Sequence, residues 1–407
     1  MKFRALIACV FALATYSVTS AAEVVLETQE IATDLGVGYA VNLVDVNGDK
    51  KLDIVAVDQT RVVWYENPSW QVHTLIQNQT KKDNVCIAPY DIDGDGQVEF
   101  ALGADWRPFD SQTGGTIQWL SKPERTPSSQ PFWNVRHIAE EPTVHRMRWA
   151  DIDGDGRAEL IVVPLVGRNT TKPEFQESGV RILAFSIPAE PTRDRWPMRV
   201  LNEEMRVTHN FQFVDFDADK DLDMLCTSFE GVNLLTNDGK GNFARKVIGA
   251  GNQATSPNRG ASEIKLGHTS NGGRYIATIE PWHGHQVVVY TEPTDPSTGL
   301  WTRRVVDEEL KWGHAVWCTN IDGDADEELL IGVRDDLDEK DPTKRRGLRI
   351  YDPVDPAAGK WTRQLVDAGA VAIEDLAAAD LDGDGRQDIV AVGRQTHNAR
   401  IYWNRSN

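Results

Sequence analysis

The amino-acid sequence predicts an all-β protein, a seven-bladed β-propeller with four antiparallel strands in each blade. Three observations lead to this fold class. An acidic motif recurs six times, short β-branched runs follow each copy in the same phase, and an aromatic-led strand ends six of the units. Units that repeat in this way cannot each bury an apolar face alone, so we expect them to stack into a ring.

Each unit supplies its predicted strands in a fixed order. In the first unit the acidic loop is followed by DIVAV at 53–57, then by VVWYENP at 62–68 and by the aromatic-led WQVHTLI at 70–76. Runs rich in Val, Ile and aromatic residues between Asn, Asp, Gly and Pro turns are typical of strands. The fifth unit, around 266–275, keeps the flanking strands but has lost the acidic residues, so six motifs indicate seven units.

The last unit lacks an aromatic-led strand after Asn404, whereas VVLETQEI at 24–31 supplies an equivalent strand before the first unit. An N-terminal strand that completes the last sheet would leave no open sheet edge. The sequence therefore predicts a ring closed by the N-terminal strand, with residues 23–407 forming a single propeller domain.

The first 22 residues are typical of a secretory signal peptide. Lys2 and Arg4 precede an apolar stretch at 5–14, and small residues at 20–22 mark a cleavage site. We therefore expect a secreted or periplasmic protein. Three cysteines follow this segment within strand-like runs, and we expect buried thiols with one disulfide at most. They are Cys86, Cys226 and Cys318.

The charge and hydropathy of the chain exclude two classes of protein. With 62 Asp and Glu against 43 Lys and Arg, the formal net charge is -19. Binding to a nucleic-acid backbone needs a surplus of cations, so we expect no nucleic-acid partner. A mean hydropathy of -0.42 likewise argues against a membrane-spanning protein.

The acidic motif Asp-x-Asp-Gly-Asp-x-x-x-Asp/Glu places oxygen ligands at its positions 1, 3, 5 and 9, as a tight loop around Ca²⁺ does. An acidic hairpin without metal is the alternative, but its crowded carboxylates would repel one another. We expect up to six structural Ca²⁺ ions. The predicted ligands are Asp45, Asn47, Asp49 and Asp53; Asp91, Asp93, Asp95 and Glu99; Asp151, Asp153, Asp155 and Glu159; Asp215, Asp217, Asp219 and Asp223; Asn320, Asp322, Asp324 and Glu328; and Asp380, Asp382, Asp384 and Asp388.

The opposite end of the innermost strands carries a second set of candidate residues. Counting six residues back from the first acid of each loop leads to this end. The residues reached are Tyr39, Val85, His145, His209, Gly260, His314 and Glu374. The loop between the second and third strands of the fifth unit opens on the same face and reads EPWHGH at 280–285.

Several imidazoles at one channel mouth indicate a site for Zn²⁺ or another divalent metal. The expected ligands are His209, His283, His285 and His314, whereas His145, Glu374 and Arg148 are the candidate catalytic residues. Hydrogen-bonded structural histidines are the alternative for each position. Further arginines on this face are expected either to bind substrate or to form salt bridges between blades, and three tryptophans could stack on a sugar ring. These residues are Arg107, Arg146, Arg168, Arg334 and Arg394, and Trp106, Trp282 and Trp312.

The acidic loops resemble those of the FG-GAP or VCBS repeat family, whose propellers carry calcium in the same loop. Within that family the runs THNFQ at 208–212, PWHGHQ at 281–286 and GHAVW at 313–317 look like the β-propeller domain of aldos-2-ulose dehydratase. That resemblance implies a carbohydrate partner and a pocket that eliminates water from a keto sugar such as 1,5-anhydro-fructose.

The function hypothesis from these residues is a secreted carbohydrate lyase or dehydratase. A cation held by the histidines would polarise a sugar carbonyl, His145 would take the neighbouring proton, and protonated Glu374 or a second histidine would assist the departing hydroxyl. The alternative is a non-catalytic, calcium-stabilised propeller that binds glycans or mediates adhesion.

Overall fold

The protein folds into seven four-stranded antiparallel sheets arranged as a β-propeller. The computed structural model describes residues 24–123, 132–293, 295, 299–335, 339–341 and 343–406. The signal peptide predicted for residues 1–22 lies outside these described residues. Consecutive strands form consecutive blades, and the seventh blade takes one strand from the N-terminus, as the sequence predicts.

The first three blades follow the chain without interruption. Blade 1 contains β2 (Gly38–Val44), β3 (Asp53–Asp58), β4 (Arg61–Glu66) and β5 (Gln71–Gln77). Blade 2 contains β6 (Cys86–Tyr90), β7 (Glu99–Ala104), β8 (Thr116–Ser121) and β9 (Asn134–Glu140). Blade 3 contains β10 (Val144–Ala150), β11 (Glu159–Pro164), β12 (Ile182–Phe185) and β13 (Met198–Asn202).

Blades 4 to 6 repeat the same order of strands. Blade 4 contains β14 (Phe211–Val214), β15 (Asp223–Ser228), β16 (Gly231–Asn237) and β17 (Phe243–Gly249). Blade 5 contains β18 (Ile264–His268), β19 (Arg274–Glu280), β20 (Gln286–Thr291) and β21 (Thr302–Asp307). Blade 6 contains β22 (Gly313–Thr319), β23 (Glu328–Val333), β24 (Gly347–Asp355) and β25 (Lys360–Leu365), and a 3-10 turn, Pro356–Ala358, joins β24 to β25.

Blade 7 closes the ring. It contains β26 (Ile373–Ala379), β27 (Asp388–Gly393), β28 (Ala399–Asn404) and, from the other end of the chain, β1 (Leu26–Ala32). Strand β1 pairs antiparallel with β28, so that Leu26 lies opposite Asn404. This pairing closes the ring and leaves no unpaired edge on β28, which could otherwise pair with another chain and cause aggregation.

The second strand of each blade forms the core. Every residue of β3, β7, β11, β15, β23 and β27 is buried. Each of these strands is covered on both faces by neighbouring blades, so its sequence is continuously apolar, as in DIVAV at 53–57, rather than alternating. Among the described residues, no helix has the length and apolarity needed to cross a bilayer.

The cysteines agree with the expectation of unpaired thiols. Cys86 and Cys226 are buried, Cys318 is partly buried, and all three are free. Burial raises the pKa of the Cys86 thiol to about 12, so this thiol stays protonated and behaves as a small apolar side chain.

Candidate functional site

Each acidic loop joins the first and second strands of its blade, so all six lie on one face of the propeller. In the first loop, Oδ1 of Asp45 accepts a hydrogen bond from the backbone N–H of Gly48 at 2.7 Å, and Oδ2 accepts one from that of Lys50 at 2.7 Å. Gly48 has φ +82°, the left-handed region that favours glycine. The fourth loop has Ala218 at this position, with φ +66°.

In four of these loops, three carboxylates approach one another closely enough to hold one cation. Their oxygens lie within 4.8 Å of each other. The groups are Asp91, Asp93 and Asp95; Asp151, Asp153 and Glu159; Asp215, Asp217 and Asp219; and Asp322, Asp324 and Glu328. Burial, followed by the charge of Asp322, raises the pKa of Glu328 to about 8. This oxygen-only donor set fits Ca²⁺, whose charge would offset the repulsion.

The predicted ligands at the ninth position are all buried. Asp53, Asp223 and Asp388 are fully buried. Oδ2 of Asp53 accepts from the backbone N–H of Val46 and Oδ1 from that of Asn67, both at 2.9 Å. These aspartates therefore tie the loop to the end of the third strand. Glu159 and Glu328 accept the corresponding backbone hydrogen bond within the loop and also belong to the carboxylate groups.

The opposite face carries the residues reached by counting back along the innermost strands. In four blades this residue interrupts the regular pairing of the innermost strand with the second strand, as the extra residue of a β-bulge. Bulges redirect side chains and are common beside active sites. The four residues are Tyr39, His145, His314 and Glu374. Val85 is a buried apolar residue.

Three histidines converge at this mouth. One ring nitrogen each from His209, His283 and His314 lies within 4.8 Å of the other two. Nε2 of His283 is 2.6 Å from Nε2 of His209. His209 and His314 are almost fully buried, with 1% and 2% exposure, whereas His283 is partly exposed. The convergence and the chemistry of these imidazoles fit the donor set of one divalent transition-metal ion.

The loop that carries His283 holds the residue in an unusual backbone conformation. His283 has φ +50°, which is uncommon for a residue other than glycine and typical of functional sites. Its ring stacks on Trp282 with centroids 4.1 Å apart. The loop needs Gly284, because a Cβ there would lie 2.3 Å from the carbonyl oxygen of Pro281.

Hydrogen bonds determine which nitrogen each imidazole presents. Nδ1 of His145 lies 3.0 Å from the carbonyl oxygen of His209, and Nδ1 of His314 lies 2.5 Å from that of Glu374. A carbonyl oxygen only accepts, so both Nδ1 atoms carry the proton and both Nε2 atoms keep a free lone pair. The ring of His145 is next to the cluster, with its centroid 4.6 Å from that of His209.

Electrostatics keep these imidazoles neutral. Burial, together with the positive charge of Arg146, lowers the pKa of His145 and His209 well below the usual value. Burial and the charge of Arg334 do the same for the pKa of His314. Neutral imidazole is the form that binds a metal or accepts a proton.

Glu263 is a site residue that the sequence analysis missed. The expectation placed Gly260 at the ring position, but the hairpin loop of blade 5, residues 269–273, is shorter than the acidic loops, which moves the position to Glu263. Its Oε1 lies 2.7 Å from Nδ1 of His209, and neither atom has a hydrogen bond of good geometry. Oε1 is also 3.8 Å from Arg146. Glu263 is the residue reached by counting six positions back from Thr269, the first residue of this loop.

Gly260 instead allows a close approach of two backbone segments. It has φ +72°, and a Cβ there would lie 2.1 Å from the carbonyl oxygen of Ser228. The residue therefore serves packing beside the mouth and is not part of the ring of side chains.

Two of the predicted site residues lie apart from the cluster. His285 is exposed and is absent from the group of converging nitrogens, because the turn at Gly284 separates it from His283. Arg148 lies deeper, in the axial channel, where it donates to Oδ1 of Asn210 at 3.0 Å. The prediction that Arg148 lies at the mouth was wrong, because Arg148 comes three residues after the ring position His145 in the same strand.

Glu374 is held by two arginines. Arg334 and Arg394 each place a guanidinium nitrogen 3.2 Å from its carboxylate. Both carboxylate oxygens accept hydrogen bonds from these guanidinium groups, so this geometry offers no support for the expectation that Glu374 donates a proton to a leaving group. Nε2 of His314 lies 3.8 Å from the same carboxylate.

The remaining arginines of this face form the salt bridges that the sequence analysis left as an alternative. Arg107 lies 3.0 Å from Asp105, and Arg168 pairs with Glu141 at 2.5 Å. The tryptophans differ in accessibility. Trp106 lies against His145, with centroids 5.0 Å apart, whereas Trp312 is 40% exposed.

Comparison with solved structures supports the fold. A chain of the "Crystal Structure of Mitotic Checkpoint Complex" aligns with a TM-score of 0.55 and 11% identity, over 98% of this chain and 100% of that one. A chain of "BBS1N in complex with ARL6DN, soaked with mercury" aligns with a TM-score of 0.54 and 11% identity, over 95% and 98% of the two chains. At this identity the likeness concerns the fold alone.

Sequence comparison confirms the resemblance inferred from the motifs. Aldos-2-ulose dehydratase of Phanerodontia chrysosporium is 26% identical over 301 residues, 69% of this chain and 32% of that protein, so the chain spans about a third of that relative. Residues 45–102 match the family model of the FG-GAP-like repeat. Residues 114–293, which include His145, His209 and His283, match the family model described as the β-propeller domain of aldos-2-ulose dehydratase. The chain is thus similar to a dehydratase propeller domain in the part that carries most of the histidine cluster.

Proposed function

We propose that this protein is a carbohydrate lyase or dehydratase that removes water, or another β-leaving group, from a keto sugar. The observation that carries the proposal is the convergence of His209, His283 and His314 at the channel mouth. Similarity to the propeller domain of a dehydratase supports this class of reaction.

A divalent transition metal such as Zn²⁺ fits this cluster. The three imidazoles are neutral, and the Glu263 carboxylate behind His209 is the usual kind of partner for a metal-binding histidine. When bound, such an ion supplies Lewis-acid polarisation of a carbonyl. The donor set would be His209, His283 and His314, with His285 left out.

His145 is the group we assign to proton transfer. Its unprotonated Nε2 can take the proton from the carbon next to the sugar carbonyl. The resulting imidazolium can pass this proton to the β-hydroxyl, which leaves as water. One C–H and one C–O bond break, a C=C bond forms, and His145 returns to its neutral state.

Glu374 orients the site in this mechanism. Its backbone carbonyl fixes the tautomer of His314, and its carboxylate holds Arg334 and Arg394 at the mouth. Guanidinium groups held in this way can donate hydrogen bonds to the carbonyl and hydroxyl oxygens of a sugar.

The proposal is tested with three alanine variants of the purified protein. Metal content is measured by elemental analysis, and turnover of 1,5-anhydro-fructose is followed by the absorbance of the conjugated enone product. We expect His209→Ala to lose both metal and turnover. His145→Ala should keep the metal and lose turnover, by about 100-fold or more for a general base.

His285→Ala is the matched control, since this histidine is exposed and outside the cluster. It should retain both properties. Full metal content and full turnover in His209→Ala would refute the assignment. Saturable sugar binding without product in the wild-type protein would favour a glycan-binding propeller instead.

The proposal includes structural calcium in the acidic loops and export of the protein. Residues 1–22 would be removed, so N-terminal sequencing of the protein from its native host should begin near residue 23. A mature chain that begins at Met1 would contradict export by this route.

A further inference from the structure

The axial channel contains a second cavity, distinct from the histidine cluster. It has a volume of about 500 Å³ and is lined by side chains of the innermost strands. It reaches towards the acidic-loop face, since Leu52 of the first acidic loop lines it. The cluster histidines do not line it, whereas Arg146, Asn210 and Glu263 lie between the two sites.

Three cations and two carboxylates line this cavity. The cations are Arg146, Arg148 and Lys265, and the carboxylates are Glu263 and Asp375. Arg146 is paired with Glu263 at 3.8 Å. Asp375 accepts hydrogen bonds from the backbone N–H groups of Val41 at 3.0 Å and Leu376 at 3.1 Å. Both carboxylates are thus already engaged.

Arg148 and Lys265 are the other two cations, and Asp375 and Glu263 attract them without forming a salt bridge to either. Arg148 donates to Asn210 and lies over the ring of Phe211, 4.5 Å from its centroid. Lys265 lies 4.1 Å from the ring centroid of Trp317. Among the described residues, neither has a carboxylate oxygen within the 4.0 Å of a salt bridge. Burial and repulsion by Arg146 lower the pKa of Arg148 to about 10, and burial and repulsion by Arg148 lower that of Lys265 to about 8.

Three cations outnumber two carboxylates in this buried cavity, and a bound anion would balance the excess positive charge. The walls also offer aromatic surface from Trp149 and Trp317, and the amides of Asn42 and Gln212. A carboxylate matches the guanidinium and ammonium donors, whereas amides and aromatic faces are typical of sites for sugar hydroxyls and rings.

We propose that this cavity binds a carboxylate-bearing sugar, of the class of hexuronic acids, through Arg148 and Lys265. The site is distinct from the proposed lyase centre, because it binds through Arg148 and Lys265, which the lyase proposal does not use.

Binding of D-glucuronate to the purified protein, in calcium-containing buffer at pH 7, tests this site by titration calorimetry. Loss of one charge-assisted contact is worth about a tenfold change in dissociation constant. We therefore expect Arg148→Met and Lys265→Met each to weaken binding at least about tenfold. Lys240→Met, which removes the same charge at an exposed position, should bind as the wild type does.

Two further probes define the ligand class, one that lacks the carboxylate and one that lacks the sugar ring. D-glucose should not bind measurably, and inorganic phosphate should bind more weakly than D-glucuronate. Equal binding of glucose or of phosphate would overturn the sugar-acid assignment. Absence of glucuronate binding by the folded wild type, or unchanged binding by Lys265→Met, would overturn the site.

Folding of the variants is checked by their thermal midpoints. Removing the unpaired ammonium of Lys265 should leave the midpoint unchanged or raise it, so this variant decides the question even where Arg148→Met fails to fold. A lowered midpoint for Lys265→Met with normal glucuronate binding would assign the lysine a structural role and contradict the proposal.

Discussion

At the scale of single residues, the histidines of the candidate site lie where the backbone departs from regular strand geometry. His145 and His314 are bulge residues of their strands, and His283 has a left-handed backbone conformation. Residue type and spacing were enough to predict His145, His209, His283 and His314 at one mouth. Glu263 was missed because its position depends on a loop length that no acidic residue marks.

Asp375 should make stability depend on pH. Burial raises the pKa of this carboxyl from 3.8 to about 6, despite the nearby charge of Arg146. The folded state therefore binds the proton more tightly than the unfolded state, so the free energy of unfolding falls as the pH rises from about 4 to about 6 and then levels off. Relative to Asp375→Asn, the wild type should lose about 1 to 3 kcal/mol of unfolding free energy between pH 4 and 7.

Urea denaturation of both proteins at these two pH values, at one calcium concentration, measures the difference. Asp194→Asn, at an exposed position, controls for the loss of a carboxylate as such. A gap between wild type and Asp375→Asn that is the same at both pH values would show that Asp375 is not the group responsible.

At the scale of elements, the strands follow directly from the sequence. The continuous apolar runs of the sequence form the buried second strands of the structure. The strands end at the turn residues that the sequence analysis identified. In blade 5 the repeat pattern did not give the correct position of the innermost strand. Its short loop carries none of the acidic residues that mark this position in the other blades. The depth of Arg148 in the channel also depends on packing between blades, which the period of one strand does not reveal.

An asparagine at the end of the third strand links neighbouring blades in three places. In blade 4, Nδ2 of Asn237 donates to the carbonyl oxygen of Ile152 in the preceding acidic loop at 2.9 Å, and its Oδ1 accepts from Gly241 N–H at 3.0 Å. Asn67 and Asn404 make the corresponding contacts to Leu381 and Ile321.

Asn237→Ala should therefore destabilise the protein. It leaves buried backbone groups of Ile152 and Gly241 without partners, which costs about 1 to 3 kcal/mol of unfolding free energy. Asn242→Ala, in the same turn but exposed, should change it by less than about 0.5 kcal/mol. Equal effects of the two substitutions in chemical denaturation would argue against the link between blades.

At the scale of the whole molecule, the number of blades and the closure of the ring were predicted correctly. Both follow from counting repeats, which needs no knowledge of three-dimensional contacts. The channel's second cavity was not predicted, because its charges come from innermost strands of different blades and carry no common motif. Contacts between side chains that are distant in the sequence and share no motif could not be predicted from one sequence.

Calcium should raise the thermal stability of the whole ring. Ions bound only by the folded loops stabilise it by mass action, and they offset part of the net charge of -19. We expect the midpoint of thermal unfolding to fall on chelation and to recover with Ca²⁺ more than with Mg²⁺. Asp153→Asn should reduce the gain from calcium, whereas Asn271→Ala, in the short loop of blade 5, should leave it unchanged. An identical midpoint with and without chelator would contradict calcium binding.

The pairing of β1 with β28 makes the two ends of the described chain neighbours. The backbone N–H of Arg405 donates to the carbonyl oxygen of Val25 at 2.7 Å, and that of Val25 donates to Oγ of Ser406 at 3.1 Å. A short peptide could therefore join these ends and new termini could be opened between any two blades, giving circular permutants with the same ring. The order of the strands has a kinetic consequence, because the seventh sheet combines β1 with the last three strands of the described chain and so cannot be completed before β28 has been synthesised.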